Sequence, residues 1–210
     1  MLDEVIETAT GEREVHRALE WYAWVAMKLV TNDHSFVVSE FSLGGEYKAD
    51  FVVADYFSGG WEIHFIELEP PSVSPFNKNG DFSPRLNHAA GQVRKWKQFE
   101  DRHDKRPFLM SRLRDAIVAK DLTWADGREP LDSQGGKLTD PESVFLMEYH
   151  VIMGRRRHLN SELMARKAAL IKTDGFELIT YDRVLDEYLR QRADATYAGT
   201  VRPPTQRNAD

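Results

Sequence analysis

Tyr47-Lys48-Ala49-Asp50-Phe51-Val52-Val53 and Phe65-Ile66-Glu67-Leu68-Glu69-Pro70-Pro71 are the stretches on which the reading of this chain turns. Both are apolar around their carboxylates, as central strands are. An ionised side chain in such a strand is costly unless it is paired, hydrogen-bonded or bound to a metal. Residues two apart on a strand share a face, so Glu67 and Glu69 project the same way. If the two strands are neighbours, Asp50 and Glu67 are able to hold one divalent cation, with the backbone carbonyl of Leu68 as a third oxygen. Mg²⁺ bound in that manner is the arrangement a metal-dependent phosphodiesterase needs.

Working outward, three strands are expected over 35–41, 47–56 and 61–69. Gly44-Gly45 and Ser58-Gly59-Gly60 supply the turns of an antiparallel meander. Pro70-Pro71 ends the third strand. Before the meander, Val15, Ala18, Leu19, Tyr22, Val25, Ala26 and Leu29 form one stripe of a helix over 12–30. After it come a polar loop over 72–84 and a helix over about 85–102 with Leu86, Ala89, Ala90, Val93 and Trp96 on its apolar side. Residues 120–142 read as a long excursion or mobile loop. Val144 to Met153 is a nearly continuous apolar run, suited to a strand buried on both faces. A helix over 161–172, a short strand over 176–180 and a helix over 182–191 complete the order. The fold class is α/β with a mixed sheet: an antiparallel start, then a crossover to a later strand. Residues 1–192 read as a single domain, and 193–210 as a disordered tail.

Composition sets outer bounds. The chain has no cysteine, which removes disulfides and thiolate zinc sites and agrees with a reducing compartment. The N-terminus is acidic without an apolar signal core, and the most apolar stretch, residues 21–30, contains Lys28 and is too short to span a bilayer. A cytoplasmic protein away from the membrane is the expectation. The formal charge of −6 argues against a surface basic all over, but not against local phosphate contacts. Basic residues cluster at Arg94, Lys95 and Lys97, at Arg102, Lys105 and Arg106, at Arg112 and Arg114, and at Arg155, Arg156 and Arg157. A solvated helix face or turn is the plain reading of each; if DNA is bound, Lys95 and the Arg155–Arg157 turn are its expected track.

Other groups are candidates by position. Glu14 lies beside the apolar stripe of the first long helix, with Glu12, His16 and Glu20 as rivals. His88 and Gln92 lie four apart on the second, so they share a side; Gln92 is placed to hydrogen-bond a water or phosphate near the metal. Lys78, in the loop after the prolines, is a candidate phosphate contact. The plainer alternatives are a solvated helix face for Glu14, Glu12 and Glu20, a half-buried structural histidine for His16, the cap of a buried backbone group for Gln92, a place bordering the core for His88 and an ordinary surface loop for Lys78.

Taken together, Asp50-Phe51-Val52-Val53, Ile66-Glu67-Leu68-Glu69-Pro70-Pro71, Phe76-Asn77-Lys78-Asn79-Gly80 and His88-Ala89-Ala90-Gly91-Gln92-Val93-Arg94-Lys95-Trp96 resemble the nuclease domain of the Shedu antiphage-defence proteins, of the PD-(D/E)XK superfamily. Val151-Ile152-Met153-Gly154-Arg155-Arg156 and Gly175-Phe176-Glu177-Leu178-Ile179-Thr180-Tyr181-Asp182 extend the likeness, which covers about residues 10 to 192. The resemblance implies a restriction-endonuclease-like fold and Mg²⁺- or Mn²⁺-dependent cleavage of DNA. It also implies a homo-oligomer and, since the separate target-reading region usual in the family is not apparent, either a compact form or dependence on a regulatory partner. It matches Asp50 and Glu67 to metal ligands, Gln92 to the glutamine of the following helix, and Glu14 to the acidic residue of the first. One position departs: Glu69 stands where the family pattern has a lysine. Lys78 or Lys48 is then expected to supply the missing charge, or Glu69 to recruit metal. A binding module of the same fold without turnover is the competing expectation. Asp50→Ala and Glu67→Ala are both expected to melt no lower than the parent without metal, since each relieves repulsion.

Overall fold

The computed structural model describes residues 1–31, 35–102, 105–120, 122–123 and 127–198. Three short helices, α1 (Leu2–Thr8), α2 (Glu12–Trp21) and α3 (Ala23–Val30), precede the meander β1 (Phe36–Leu43), β2 (Tyr47–Phe57) and β3 (Gly60–Leu68). Helices α4 (Pro84–Glu100) and α5 (Lys105–Lys120) lead to β4 (Val144–Ile152). A 3-10 turn over Arg156–His158, α6 (Ser161–Thr173), β5 (Glu177–Ile179) and α7 (Tyr181–Ala198) follow. The sheet runs β1-β2-β3-β4-β5, antiparallel through β3 and parallel from β3 to β5.

Alternation along the strands divides the apolar side chains between two faces. Val52, Ala54, Ile63 and Phe65 pack against Leu86, Val93 and Trp96 of α4 and Leu109, Leu113 and Ile117 of α5. Phe51, Val53, Ile66 and Leu68 pack against Val15 and Leu19 of α2, Val25 and Leu29 of α3, and Tyr181, Val184 and Tyr188 of α7. The meander and the crossover agree with the sequence reading.

Several expectations are corrected. The helix over 12–30 is two helices, broken at Tyr22, whose backbone (φ −119°, ψ 42°) leaves the helical region. α1 and α5 are additional; Leu2 and Ile6 anchor the first in the core, and Leu109, Met110, Leu113 and Ile117 anchor the second. β4 is buried on both faces only toward its end, because β5 pairs with His150–Ile152 alone and leaves Val144 and Leu146 about half exposed. Within the 120–142 excursion, Leu138 is fully buried and Glu129 pairs with Arg114 of α5, so its described part is pinned rather than loose. α7 continues through Ala198, into the stretch expected to be a disordered tail; residues 199–210 lie outside the described residues. Among the described residues no helix is long and apolar enough to cross a membrane.

Candidate functional site: a carboxylate cluster at the end of the sheet

The β2–β3 ladder ends at Phe51↔Ile66, one step before Asp50 comes opposite Glu67. β3 stays paired with β4 for two residues more, to Leu68↔Ile152, and the Glu69 amide still donates to the Ile152 carbonyl at 2.9 Å. The strands therefore part at the carboxylates. The Leu68 amide, left without a backbone acceptor on β2, donates to Asp50 Oδ2 at 2.7 Å. Asp50 thus ends the ladder with its side chain, which holds the carboxylate in one orientation beside Glu67.

Helix α4 closes the same end. Ser83 caps it, accepting from the Leu86 amide, and Pro84 at its first position presets the helical turn. Arg85, His88 and Gln92 fall at i, i+3 and i+7 and so project from one side. Gln92 Nε2 donates to Glu67 Oε1 at 3.3 Å. His88 Nδ1 lies 3.4 Å from Glu69 Oε1, and Arg85 Nη1 lies 3.5 Å from Glu69 Oε2. Arg85 also reaches Glu12 at the start of α2, at 3.6 Å, joining the two helices across the site. His16, one turn further along α2, stacks on Phe51 with ring centroids 4.8 Å apart, and its Nε2 lies 3.3 Å from the Asp50 carbonyl. It is the half-buried structural histidine that its place beside an apolar stripe leads one to expect.

The electrostatics follow from burial. Glu67 and Glu69 are 7% and 1% exposed. Among the described residues neither Asp50 nor Glu67 has an ion-pair partner within 4 Å. Burial and the neighbouring Asp50 charge push the Glu67 carboxyl up to about 9. Burial also raises Asp50, opposed by the Leu68 amide, and raises Glu69, opposed by His88 and Arg85. The pair Asp50–Glu67 therefore keeps a proton at neutral pH unless a cation takes its place.

These contacts bring Asp50, Glu67, Glu69, Gln92 and His88 together. They do not bring in Glu14, which is exposed and accepts from the Thr10 amide at 3.3 Å; Glu12 is the α2 carboxylate at the site. Lys78 is exposed on the loop bridged by Phe76↔Phe82, where Gly80 lies against Leu163 and Arg166 of α6, and no described contact joins it to the carboxylates. Lys48 pairs with Glu40 at 2.6 Å. The cation that faces Glu69 is Arg85, which the sequence reading passed over. Its spacing from His88 and Gln92 was the available signal. For Leu68, the group engaged is its amide. Among the basic residues, Lys95 is exposed, its ammonium 6.0 Å from the Tyr47 ring centroid. Arg155 is 6% exposed and held between Glu7, at 2.6 Å, and Asp182, at 3.3 Å. Arg156 is exposed and pairs with Asp186 at 2.9 Å.

A five-stranded mixed sheet whose central strands part around Asp50 and the buried Glu67 and Glu69 defines an α/β protein with a carboxylate cluster at one sheet end. The chain matches the family model described as Shedu protein SduA, C-terminal, over residues 9–185, and it belongs to that family. Compared with curated proteins it has no match.

Proposed function

We propose that this chain is a Mg²⁺- or Mn²⁺-dependent DNA endonuclease or nickase of the PD-(D/E)XK type, acting in antiphage defence. Family membership supports the defence role. The observation that carries the chemistry is the Asp50–Glu67 pair: a half-buried and a buried carboxylate side by side where two strands part, with an amide and Gln92 as partners but no ion pair among the described residues. Two carboxylates held together in this way fit a hard divalent ion with oxygen ligands. Among the described residues no three acidic or histidine side chains close around an ion, so the remaining ligands would be the Leu68 carbonyl, water and substrate phosphate. A site that leaves positions open in this way suits catalysis better than storage.

In this reading the bound cation neutralises phosphate charge and lowers the pKa of water. Asp50 and Glu67 hold it. The Leu68 amide fixes Asp50, and the Gln92 amide fixes Glu67. Arg85 supplies, from α4, the positive charge that the lysine in the position of Glu69 would otherwise bring; at this position Glu69 serves to hold Arg85 and His88 at the site. Lys95 and His88, exposed on α4, are the first candidates for backbone phosphate contacts; Arg156 is a second.

The test is supercoiled plasmid incubated with the purified chain and Mg²⁺, Mn²⁺ or EDTA. Metal-dependent nicking or linearisation that is lost in Asp50→Asn is the expected result, and no cleavage under any metal would refute turnover. The second reading, a binding module of the same fold, is favoured by the carboxylate at Glu69; metal-independent DNA binding without cleavage would select it.

A further inference from the structure

Tyr181 opens α7 and is fully buried, its ring packed in the cluster that contains Leu68, Ile152 and Ile179. Its hydroxyl has no hydrogen-bond partner among the described residues. A buried hydroxyl in that state is costly, and in folded proteins such groups nearly always find a partner. The Trp61 and Trp96 indoles are also unpartnered, but each sits in the apolar core on the other face. Tyr181 stands elsewhere.

Its backbone is tied to the site end. Glu69 N donates to the Ile152 carbonyl, Met153 N to the Ile179 carbonyl, and Tyr181 N to the Gly154 carbonyl at 3.0 Å, so the ends of β3, β4 and β5 and the start of α7 stand in one row. Gly154 is needed in that row. Its φ is +64°, and a Cβ there would come within 2.7 Å of the Val73 carbonyl oxygen. Burial, and then the charges of Asp50, Glu69 and Glu12, hold the proton of the phenol on well above the ordinary range. A buried hydroxyl that keeps its proton is a donor in need of an acceptor.

We propose that Tyr181 is a positioning residue of the carboxylate site, its hydroxyl donating a hydrogen bond to an oxygen ligand, water or phosphate, of the cation held by Asp50 and Glu67. The inference rests on the cation-binding reading given above. It adds a donor from the α2–α7 side to the Gln92 amide that acts from α4. The role is one of orientation: Tyr181 moves no proton and binds no metal itself.

Tyr181→Phe keeps the ring and removes only the hydroxyl. The full chain and its variant are titrated with MnCl₂ by calorimetry, and both are melted in EDTA. The expected result is Mn²⁺ binding weakened roughly ten- to hundredfold, the usual effect of losing an outer hydrogen bond to a metal site, with a metal-free melting temperature unchanged or raised. Mn²⁺ affinity equal to the parent's would overturn the assignment while leaving the cation site standing. A lowered metal-free melting temperature would also overturn it, because the hydroxyl would then serve the fold. If the parent itself binds no Mn²⁺, the cation-binding reading fails and this one with it.

Discussion

Replacing Glu67 by Gln tests the electrostatics of the site without touching metal or DNA. The carboxyl is pushed up to about 9 in the folded chain from an ordinary 4.5, so between those values the native state holds a proton that the unfolded chain has released. Stability contributed by that proton is complete below pH 4.5 and is lost as pH rises toward 9. Near one bound proton the loss is about 1.4 kcal/mol per pH unit, tapering close to 9, so from pH 7 to 9 the parent should lose about 2 kcal/mol more than Glu67→Gln. The variant has no charge to bury and still offers an amide oxygen to Gln92, and at pH 7 it should be more stable by about 3 kcal/mol. Urea unfolding in EDTA at pH 7, 8 and 9 measures both. This window avoids the buried histidine His64, which titrates lower. Parallel stability curves for parent and variant would refute the account of the cluster.

Other expectations follow from individual contacts. Asp50→Ala leaves the Leu68 amide without its acceptor and should cost about 1–3 kcal/mol in EDTA, whereas Asp50→Asn, which keeps an oxygen there, should cost less; thermal melts of the two variants decide it. This revises the sequence-based expectation that the alanine variant melts no lower than the parent. Lys95→Glu should weaken DNA binding for all sequences and reduce the slope of log affinity against log salt by about one, while Arg155→Met, made inside an ion network, should lower stability by about 2 kcal/mol and leave that slope unchanged. His64 bonds His150 at 3.1 Å, and burial lowers it from 6.5 to about 3. The unfolded chain then binds the extra proton, so stability is lost as pH falls from 6.5 toward 3, and His64→Phe should remove about 1.4 kcal/mol per pH unit of that acid slope.

What the sequence made legible was what local pattern encodes. The two glycine turns and the alternation around Asp50 and Glu67 place both carboxylates at one end of adjoining strands, as found. Gln92 was legible from its helical spacing, and Arg85 was equally so, two turns nearer the Ser83 cap. The acidic residue of α2 was narrowed to a few neighbours. Choosing Glu12 over Glu14 depends on where the helix starts, at Gly11, which periodicity fixes poorly. α5 has a helical stripe in Leu109, Met110, Leu113 and Ile117, but the arginines interleaved with it, Arg112 and Arg114, mask its apolar period. The burial of Arg155 was out of reach, because its partners Glu7 and Asp182 are distant in the chain and meet it only when α1 and α7 dock. The lone hydroxyl of Tyr181 was hidden for the same reason.

The central claim is that Asp50 and Glu67 form a divalent-cation site that exchanges a proton for the ion. Calorimetric titration of the full chain with MnCl₂ at pH 7, in two buffers of different ionisation enthalpy, measures binding and proton release together. The account predicts one ion bound with release of close to one proton, affinity that falls as pH is lowered, and no binding in Asp50→Asn. Absence of Mn²⁺ binding in the parent, or binding that Asp50→Asn and Glu67→Gln leave unchanged, would contradict it.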